Sequence, residues 1–379
     1  MRLSAQHQMM RDAVRRFARD ELWPNAARWE REAHFPREPL RELAKMGLNA
    51  VAIPEEWGGA GMDYTALAIA FEEVSAGHAA SGTVLSVNNL VAGILHGYGN
   101  DAQKERFLRP LAQGHTVGAF CLTEPQVGSD AGAIATRAER RGEHWVLNGT
   151  KQFITSGRNA DVAVVFAVSN RQAGKKGISA FVVPTSAPGW RVARVEDKLG
   201  QRASDTAQIA LEDCKVPAEN LLAEEGMGYR IALANLESGR INIAAQATGI
   251  ARAALAAALA YAGERKSMGK AIIEHQAVNF RLADMATQIE AARQLYLHAA
   301  ALRDAGEPCL KEASMAKLFA SEMAERVCSD AIQVHGGYGY VADFPVERLW
   351  RDVRVCKIYE GTSDIQRLVI GRAIASGGG

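Results

Sequence analysis

An acidic residue, Glu360, lies between an aromatic residue and a glycine in the segment Tyr359–Asp364. Ser363 and Gln366 have the spacing of a capping box ahead of an apolar run, which predicts that a helix begins here, with N–H groups that attract phosphate. Gly361 has no Cβ, so a planar ligand could approach the carboxylate closely. The pattern suits a base beside a cofactor, although a capped helix whose preceding Glu complements the dipole would have the same residues.

Motifs that mark several other enzyme classes do not occur in this sequence. No G-x-G-x-x-G follows a predicted strand and no Walker lysine motif is present, so any dinucleotide is bound without a Rossmann unit or a P-loop. The H-E-x-x-H and G-x-S-x-G patterns are missing as well. Metallohydrolase and serine-hydrolase chemistries are therefore not expected.

Charge and cysteine usage limit the classes of partner. The sequence has 44 basic and 43 acidic residues and a formal charge of +1, so nucleic acid is not an expected partner. The 5 cysteines are scattered and form no C-x-x-C pair, which argues for a reducing compartment. We predict neither a disulfide framework nor a metal site.

The first 21 residues mix basic and acidic side chains, with Met10, Val14 and Phe17 at helical spacing. This pattern predicts a core helix and not a signal or transit peptide. No membrane-length apolar run is evident in the sequence. We therefore expect no membrane span and no export signal, which for a bacterial protein means the cytoplasm.

The spacing between apolar residues changes twice along the chain, from helical to strand-like and back to helical. Residues 1–118 read as helices broken by Pro/Gly loops. Residues 119–222 contain short runs typical of strands, among them Ala163–Val168 and Ile178–Val183. The dipeptide Asn148-Gly149 lies between two apolar runs and predicts a hairpin. This middle segment is predicted to be a small all-β domain.

Residues 223–379 return to helical spacing. Apolar residues recur there at steps of three and four in two stretches, which predicts the narrow seams of a helical bundle. The first seam comprises Leu282, Met285, Ile289, Ala292, Tyr296 and Ala299, and the second comprises Ala320, Ala324, Val327, Ala331 and Val334. The order of helices, strands and helices follows from periodicity alone.

Five ordered motifs together carry a resemblance to a known family. They are Ala119–Asp130, Lys151–Gly157, Arg265–Gly269, Gln333–Gly339 and the loop at Glu360. In type and order these motifs resemble the acyl-CoA dehydrogenase flavoprotein family, and the resemblance covers nearly the whole chain.

The resemblance implies a fold, a cofactor and partners. The implied fold class is α+β, with an N-terminal helical domain (1–118), a middle small β-barrel or sheet domain (119–222) and a C-terminal four-helix bundle (223–379). FAD would lie extended between the β domain and the C-terminal helices. The implied partners are an acyl-CoA substrate, an electron-transfer flavoprotein and further copies of the chain in a homotetramer. A eukaryotic member would be expected in the mitochondrial matrix.

The resemblance also implies site residues. By this resemblance Phe153 would stack on the flavin, Thr155 would bond near its N5 atom, and Arg265 would reach the FAD pyrophosphate of a neighbouring subunit. The implied cofactor-binding residues are Phe120, Leu122, Thr123, Ser129, Phe153, Ile154, Thr155, Arg265, Gln276, Gln333, Gly336, Gly337, Thr362, Ser363 and Asp364. The implied substrate-binding residues are Ser129, Glu237, Arg240, Tyr359 and Gly361.

Most of these residues also have an ordinary structural interpretation. Phe153 and its neighbours could belong to a half-buried strand, and the loop at Ser129 could be a surface turn. Gly336 and Gly337 could form a helix C-cap.

One departure from a subset of the family helps to assign the base. In members that handle isovaleryl or long-chain substrates, the base immediately precedes the arginine equivalent to Arg240, and here that position is Gly239. The candidate base is therefore Glu360, which would remove the Cα proton while a hydride passes from Cβ to the flavin. Glu237 aligns with an aspartate that contacts the CoA end of the substrate, and its extra methylene leaves that contact open.

The predicted activity is α,β-dehydrogenation of a short or short-branched acyl-CoA, with isobutyryl slightly ahead of butyryl. Such a reaction belongs to fatty-acid and branched-chain amino-acid breakdown, including that of valine. An acyl-CoA oxidase on the same fold is one alternative, although the chain lacks the C-terminal extension common in oxidases. A non-catalytic relative that binds nucleic acid is another, but Arg372 and the residues after it do not resemble the basic addition of that branch.

Overall fold

The computed structural model describes residues 3–377, apart from the side chain of Leu236. The outer limits of the predicted helical segments, residues 1 and 379, lie outside that range. The helices are α1 (Ala5–Phe17), α2 (Trp23–Glu32), α3 (Arg37–Lys45), α4 (Tyr64–Gly77), α5 (Ala79–Tyr98), α6 (Asp101–Gln103), α7 (Arg109–Ala112), α8 (Gly228–Glu264), α9 (Gln276–Asp304), α10 (Leu310–His335), α11 (Val346–Val353) and α12 (Ser363–Ala375). The strands are β1 (Gly118–Cys121), β2 (Arg137–Arg141), β3 (His144–Thr155), β4 (Val162–Val168), β5 (Ile178–Pro184), β6 (Trp190–Val195), β7 (Thr206–Pro217), β8 (Lys266–Ser267) and β9 (Lys270–Ala271).

Strands β1–β7 form one curled sheet with the order β1-β4-β2-β3-β7-β6, and β5 also pairs with β4. β1 runs parallel to β4, whereas β3 and β7 form a long antiparallel pair. The two predicted runs lie in β4 and β5, and their side chains are buried on both faces because helices cover one face and the curled sheet closes on the other. These two strand predictions are confirmed.

The predicted hairpin at Asn148-Gly149 is wrong, because β3 continues through both residues. The register of β3 against β7 shifts between Leu147 and Gly149, which marks a β-bulge. A Cβ at Gly149 would lie 2.4 Å from Oγ1 of Thr136, so glycine permits a close backbone approach here and not a turn. The chain reverses earlier, between β2 and β3, at Gly142 with a φ of 61°.

The C-terminal helices pack around α8, which contacts α4, α5, α9, α10 and α11. Every residue of the two predicted apolar seams is buried, on α9 and on α10, so both seams are confirmed. Small alanines on α8 and α10 let these two helices approach closely. The interior they form continues into α1 and α4 of the N-terminal helices.

Within the described residues, α8 is long and apolar enough to cross a membrane by length and composition. The expectation that the chain has no membrane-length apolar run is therefore corrected. However, 67% of the most apolar window of this helix is buried inside the fold. A long, largely apolar helix that packs against five others is typical of the core of a folded domain.

Candidate active site

Glu360 lies on the short loop between α11 and α12, in a left-handed conformation with a φ of 53°. Left-handed backbone is uncommon for residues with a Cβ, so the surrounding structure must hold it. Gln366 on α12 does so by donating from Nε2 to the carbonyl oxygens of Glu360 (3.1 Å) and Gly361 (2.9 Å). Nζ of Lys317 on α10 donates to the same Gly361 carbonyl at 2.7 Å. Two helices therefore fix the backbone on which the carboxylate stands.

The start of α12 differs from the predicted capping box by one residue. Thr362 is the N-cap, and its side chain accepts a bond from N of Ile365 at 3.3 Å, while Ser363 is the first helical residue. Gln366 cannot close a box with Ser363 because its amide holds the two loop carbonyls instead. Asp364 points into solvent and lies 3.5 Å from Arg367.

The carboxylate of Glu360 packs against the backbone of α8. A Cβ at Gly239 would lie 2.5 Å from its Oε2 atom, so the glycine makes the space in which the acid sits. Oε2 is buried and has no hydrogen-bond partner among the described residues. Burial raises the pKa of Glu360, against the opposing charges of Arg240 and Lys317. A carboxylate with a buried, unpartnered oxygen and a raised pKa has the properties of a general base.

Arg240 and Glu237 stand beside Gly239 on α8. Arg240 is buried with its Nε atom unpartnered, and burial lowers its pKa despite the opposing charges of Glu360 and Glu237. Glu237 pairs with Arg303 on α9 at 3.2 Å, and that guanidinium lies 4.3 Å from the ring centroid of Tyr64. The structure therefore brings the predicted Glu237, Arg240 and Glu360 to one face of α8.

Tyr359 begins a buried chain of hydrogen bonds that the sequence did not predict. Its hydroxyl donates to Oε1 of Gln246 on α8, and the amide of Gln246 donates to Oγ1 of Thr83 on α5 at 2.8 Å. The Thr83 hydroxyl in turn donates to Gln201 in the loop before β7. Tyr359 and Gln246 are 113 positions apart in sequence, so local spacing carried no signal for this contact.

The predicted flavin-facing residues lie on β1, on the loop after it and on β3. N of Gln152 donates to the carbonyl of Thr123 at 2.9 Å, which joins that loop to β3. Phe153 is 64% exposed and has a φ of 57°, where the register of β3 against β7 shifts between Lys151 and Ile154. A bulge and not a hairpin thus turns the Phe153 ring out of the strand.

The remaining residues predicted to face the flavin differ in exposure. Phe120 and Thr155 are half-buried, and Leu122 is buried. The side chain of Ile154 is 2% exposed and belongs to the core of the sheet, which leaves only its backbone for a ligand. Ser129 is exposed in the loop after β1.

A buried ion pair lies beneath this surface. Nζ of Lys151 donates to Oε1 of Glu124 at 2.8 Å and to the carbonyl of Leu122 at 3.2 Å. The Glu124 carboxylate also accepts from N of Ala135 (2.7 Å) and N of Thr136 (3.0 Å). The sequence did not predict this ion pair, although Lys151 begins one of the five motifs and Glu124 lies in another. Together they tie the loop after β1 to β3.

A second group of predicted residues lies around the end of α8. Arg265 caps α8, with its guanidinium 5.8 Å from the Tyr338 ring, and its carbonyl accepts from N of Ile272 just before α9 starts at Gln276. Gly336 caps α10 with a φ of 59°, which confirms the C-cap interpretation. Gln276, Gln333 and Gly337 are exposed.

The structure does not bring this second group to Glu360. The end of α10 is roughly 27 Å along the helix axis from Lys317, which contacts the Glu360 loop. Exposed apolar side chains surround the second group, namely Met268, Phe280, Tyr338, Tyr340 and Val341. Among residues 3–377, no group of three or more His, Cys, Asp or Glu side chains could hold a metal ion.

Family models match the chain in three consecutive parts. The N-terminal domain of acyl-CoA dehydrogenases matches residues 4–115, the middle domain matches residues 119–214, and the C-terminal domain matches residues 226–375. The chain belongs to the acyl-CoA dehydrogenase family. Its helical, curled-sheet and helical parts are the acyl-CoA dehydrogenase fold, and members of the family act on acyl-CoA with a flavin, FAD.

Individual relatives are similar over nearly the whole chain. The mitochondrial short-chain specific acyl-CoA dehydrogenase of Rattus norvegicus is 49% identical over 96% of this chain and 89% of its own. The solved structure of butyryl-CoA dehydrogenase from Megasphaera elsdenii is 39% identical and covers 99% of both chains with a TM-score of 0.96. A chain in a solved structure described as the electron transferring flavoprotein of Acidaminococcus fermentans is 44% identical, with 99% of both chains covered and a TM-score of 0.97. The chain is an acyl-CoA dehydrogenase of the short-chain type.

The residues of this acyl-CoA dehydrogenase fit FAD. Phe153 is 64% exposed and has a φ of 57°, a conformation that is uncommon for a residue with a Cβ and that recurs at ligand sites. Half-buried Phe120 and Thr155, and the Thr123 loop joined to β3, lie on the same part of the sheet as the Phe153 ring.

Proposed function

We propose that this chain dehydrogenates a short acyl-CoA between Cα and Cβ, with Glu360 as the base that removes the Cα proton. The observation that carries the proposal is the buried Oε2 atom of Glu360, which has no protein partner in the described part of the chain and stands in a space made by Gly239. A carboxylate left without donors costs free energy in a folded protein. A reacting C–H group of the substrate would give it a function.

Glu360 contributes to the reaction in two ways. Its carboxylate takes the Cα proton, and the raised pKa makes it a stronger base than an ordinary glutamate. Its backbone N–H donates to the thioester oxygen, where negative charge develops as the proton leaves. FAD, when bound, supplies the acceptor for the hydride that leaves Cβ. The held loop backbone keeps both groups in one orientation.

Residues on both sides of the pocket would hold FAD and CoA. Phe153 and Thr155 on β3 would stack on the ring and bond to it, and Phe120, Leu122 and Thr123 would line the adjacent edge. Ser129 and Glu237 would serve the CoA side. Glu237 already pairs with Arg303, so its contact to CoA would use the lone pairs that this ion pair leaves.

The acyl group is proposed to be short because polar side chains occupy the interior next to Glu360. The Tyr359 hydroxyl, the amide of Gln246 and the hydroxyl of Thr83 bond to one another between the loop, α8 and α5. An acyl chain that extended into this region would have to break these buried bonds. Since the relatives are named for short-chain and butyryl substrates, we place butyryl-CoA ahead of isobutyryl-CoA, which reverses the order expected from the sequence.

We propose that the protein acts as a homotetramer, in the cytoplasm or, if its source is eukaryotic, in the mitochondrial matrix, and passes electrons to an electron-transfer flavoprotein. The exposed apolar side chains around Arg265 are suited to a subunit interface. The long separation between Arg265 and the Glu360 loop supports the expectation that this arginine serves the cofactor of a neighbouring subunit. The electron acceptor distinguishes this proposal from an oxidase, which would consume dioxygen.

The test is anaerobic bleaching of the flavin absorbance by straight and branched acyl-CoA thioesters from butyryl to palmitoyl. We expect butyryl-CoA to bleach fastest, isobutyryl-CoA next, and the long thioesters slowly or not at all. Glu360→Gln should stay yellow and lose about 10²–10⁴-fold in reduction rate. Glu347→Gln, which removes a carboxylate paired with Arg351 on α11, is the control and should reduce normally. Fast reduction of Glu360→Gln would refute the proposed base.

A further inference from the structure

A buried lysine lies behind the loop that carries Glu360. Lys317 is fully buried on α10, although a lysine side chain is almost never buried without a specific partner. Its Nζ atom donates to the carbonyl of Gly361 at 2.7 Å. This bond goes to the backbone beside Glu360 and not to a carboxylate.

The Gly361 carbonyl has two donors of different charge. Gln366 gives it a neutral amide at 2.9 Å, and Lys317 gives it an ammonium at 2.7 Å. Gln366 also holds the Glu360 carbonyl, so a neutral donor is already sufficient to fix the loop direction. A second donor that carries a charge and is costly to bury calls for an electrostatic reason.

We propose that Lys317 is a positioning residue for the base: it holds the Glu360–Gly361 backbone and supplies positive charge that keeps the Glu360 carboxylate ionised. This inference rests on the proposed function, since it needs Glu360 to be the base. The bond to Gly361 and the positive charge are two contributions of the Lys317 side chain that can be tested separately.

The charges around both groups agree with this assignment. Facing Glu360 are Arg240 from α8 and Lys317 from α10, and facing Lys317 are Glu360, Arg240, Cys356 and Glu322. Burial raises the pKa of Glu360, and the two cations oppose that rise. Burial lowers the pKa of Lys317 to about 8. At neutral pH the ammonium is therefore still charged, and its removal would raise the pKa of Glu360 further.

Two substitutions separate the bond from the charge. Lys317→Met keeps the apolar stem and removes both, whereas Lys317→Gln removes the charge and keeps an amide that can donate to Gly361. Lys357→Met is the matched control, because it also removes one lysine charge close to Glu360 in sequence, but Nζ of Lys357 bonds to Glu325. The measurement is the rate of flavin reduction by butyryl-CoA in a single turnover, as a function of pH, with FAD content and KM recorded for each variant.

We expect Lys317→Met to retain FAD and KM and to be reduced about 10–100-fold more slowly at pH 7. The ascending limb of its pH profile should move to higher pH by about one unit. Lys317→Gln should be reduced faster than Lys317→Met, because it restores a donor to Gly361. Its ascending pH limb should remain at the higher pH, because it restores no charge. The control should match the wild type in both respects.

The outcome distinguishes this inference from the proposed function. If Glu360→Gln abolishes reduction but the limb of Lys317→Met stays within about 0.2 pH unit of the wild type, the charge has no such role and the inference falls. If Glu360→Gln is still reduced, the base assignment fails first. If neither Lys317 variant folds with FAD, Lys317 is a structural residue and the inference is overturned.

Discussion

Two glutamates with buried carboxylate oxygens, each near a buried lysine, lie in different parts of the molecule. Glu124, in the middle β domain, bonds to Nζ of Lys151 and to the N–H groups of Ala135 and Thr136. Glu360, between the C-terminal helices, has a buried oxygen with no partner among the described residues. The same type of side chain is thus saturated with donors in one region and left without them in the other.

The two environments have opposite effects on ionisation. Burial opposes the charge of Glu124, but Lys151 and the surrounding donors outweigh burial and lower its pKa. Burial dominates for Glu360 and raises its pKa. A carboxylate whose oxygens all accept hydrogen bonds from the protein ties chain segments together, whereas one that lacks such donors can accept a proton from a substrate. Hydrogen-bond partners, more than depth of burial, therefore distinguish the structural glutamate, Glu124, from the reactive one, Glu360.

The largest effect should follow from breaking the saturated pair. Lys151→Met leaves the buried Glu124 without its cation, and we expect the free energy of unfolding to fall by about 3–5 kcal/mol. The loop at Leu122 also loses its bond to β3, so FAD should be released more easily. Urea unfolding of the FAD-loaded protein and its retained flavin absorbance measure both.

The exposed Lys215 on β7 offers a control for that experiment. Lys215→Met removes a lysine of the same sheet and should change the free energy of unfolding by less than about 0.5 kcal/mol. If both substitutions lowered the free energy of unfolding equally, the Glu124–Lys151 pair would not contribute specifically to stability.

A smaller effect should come from the space around the reactive acid. Gly239→Ala places a Cβ 2.5 Å from Oε2 of Glu360, so the carboxylate must move. We expect flavin reduction by butyryl-CoA to slow by about 10–100-fold, since small displacements of a base are costly. Stability should change little, because alanine favours the helix by about 0.5–1 kcal/mol and offsets the strain.

Gly263 lies near the end of the same helix, and a Cβ there would meet no atom within 4 Å. Gly263→Ala should therefore give the helix-propensity gain without any loss of reduction rate. If both alanine variants reduce normally, the contact between Gly239 and Glu360 does not position the base.

Much of the fold could be predicted from sequence because its signals are local. The seams of α9 and α10 repeat every three to four residues, and β4 and β5 are continuous apolar runs. The hairpin prediction failed because Asn148-Gly149 is a turn signal only when the partner strands allow it, and β7 pairs across both residues. The pairing of β3 with β7 therefore outweighs the local turn propensity of these two residues.

The site was predicted only where a motif carries the chemistry. Glu360 and Gly239 were identified from the loop and from the residue before Arg240. Lys317 and Gln246 were missed because each reaches the loop from a distant helix, and on one sequence each looks like any other polar residue on a helical pattern. Contacts of this kind depend on how the helices pack, which periodicity does not specify.

The finest comparison is the pH dependence of stability in Glu124→Gln and Glu360→Gln. The pKa of Glu124 is lowered in the folded state, so its ionised form stabilises the wild type above the unfolded pKa, and this advantage over Glu124→Gln disappears as pH falls. The pKa of Glu360 is raised, so ionisation costs the wild type about 1.4 kcal/mol for each unit of the rise, and Glu360→Gln should gain relative stability as pH increases. Urea midpoints should therefore diverge from the wild type in different pH ranges, for Glu124→Gln as pH falls below the unfolded pKa of about 4.3 and for Glu360→Gln as pH rises above it. If the urea midpoints of both variants changed with pH in the same way, the two acids would be in equivalent environments. The distinction between Glu124 as a structural residue and Glu360 as a base would then have to be abandoned.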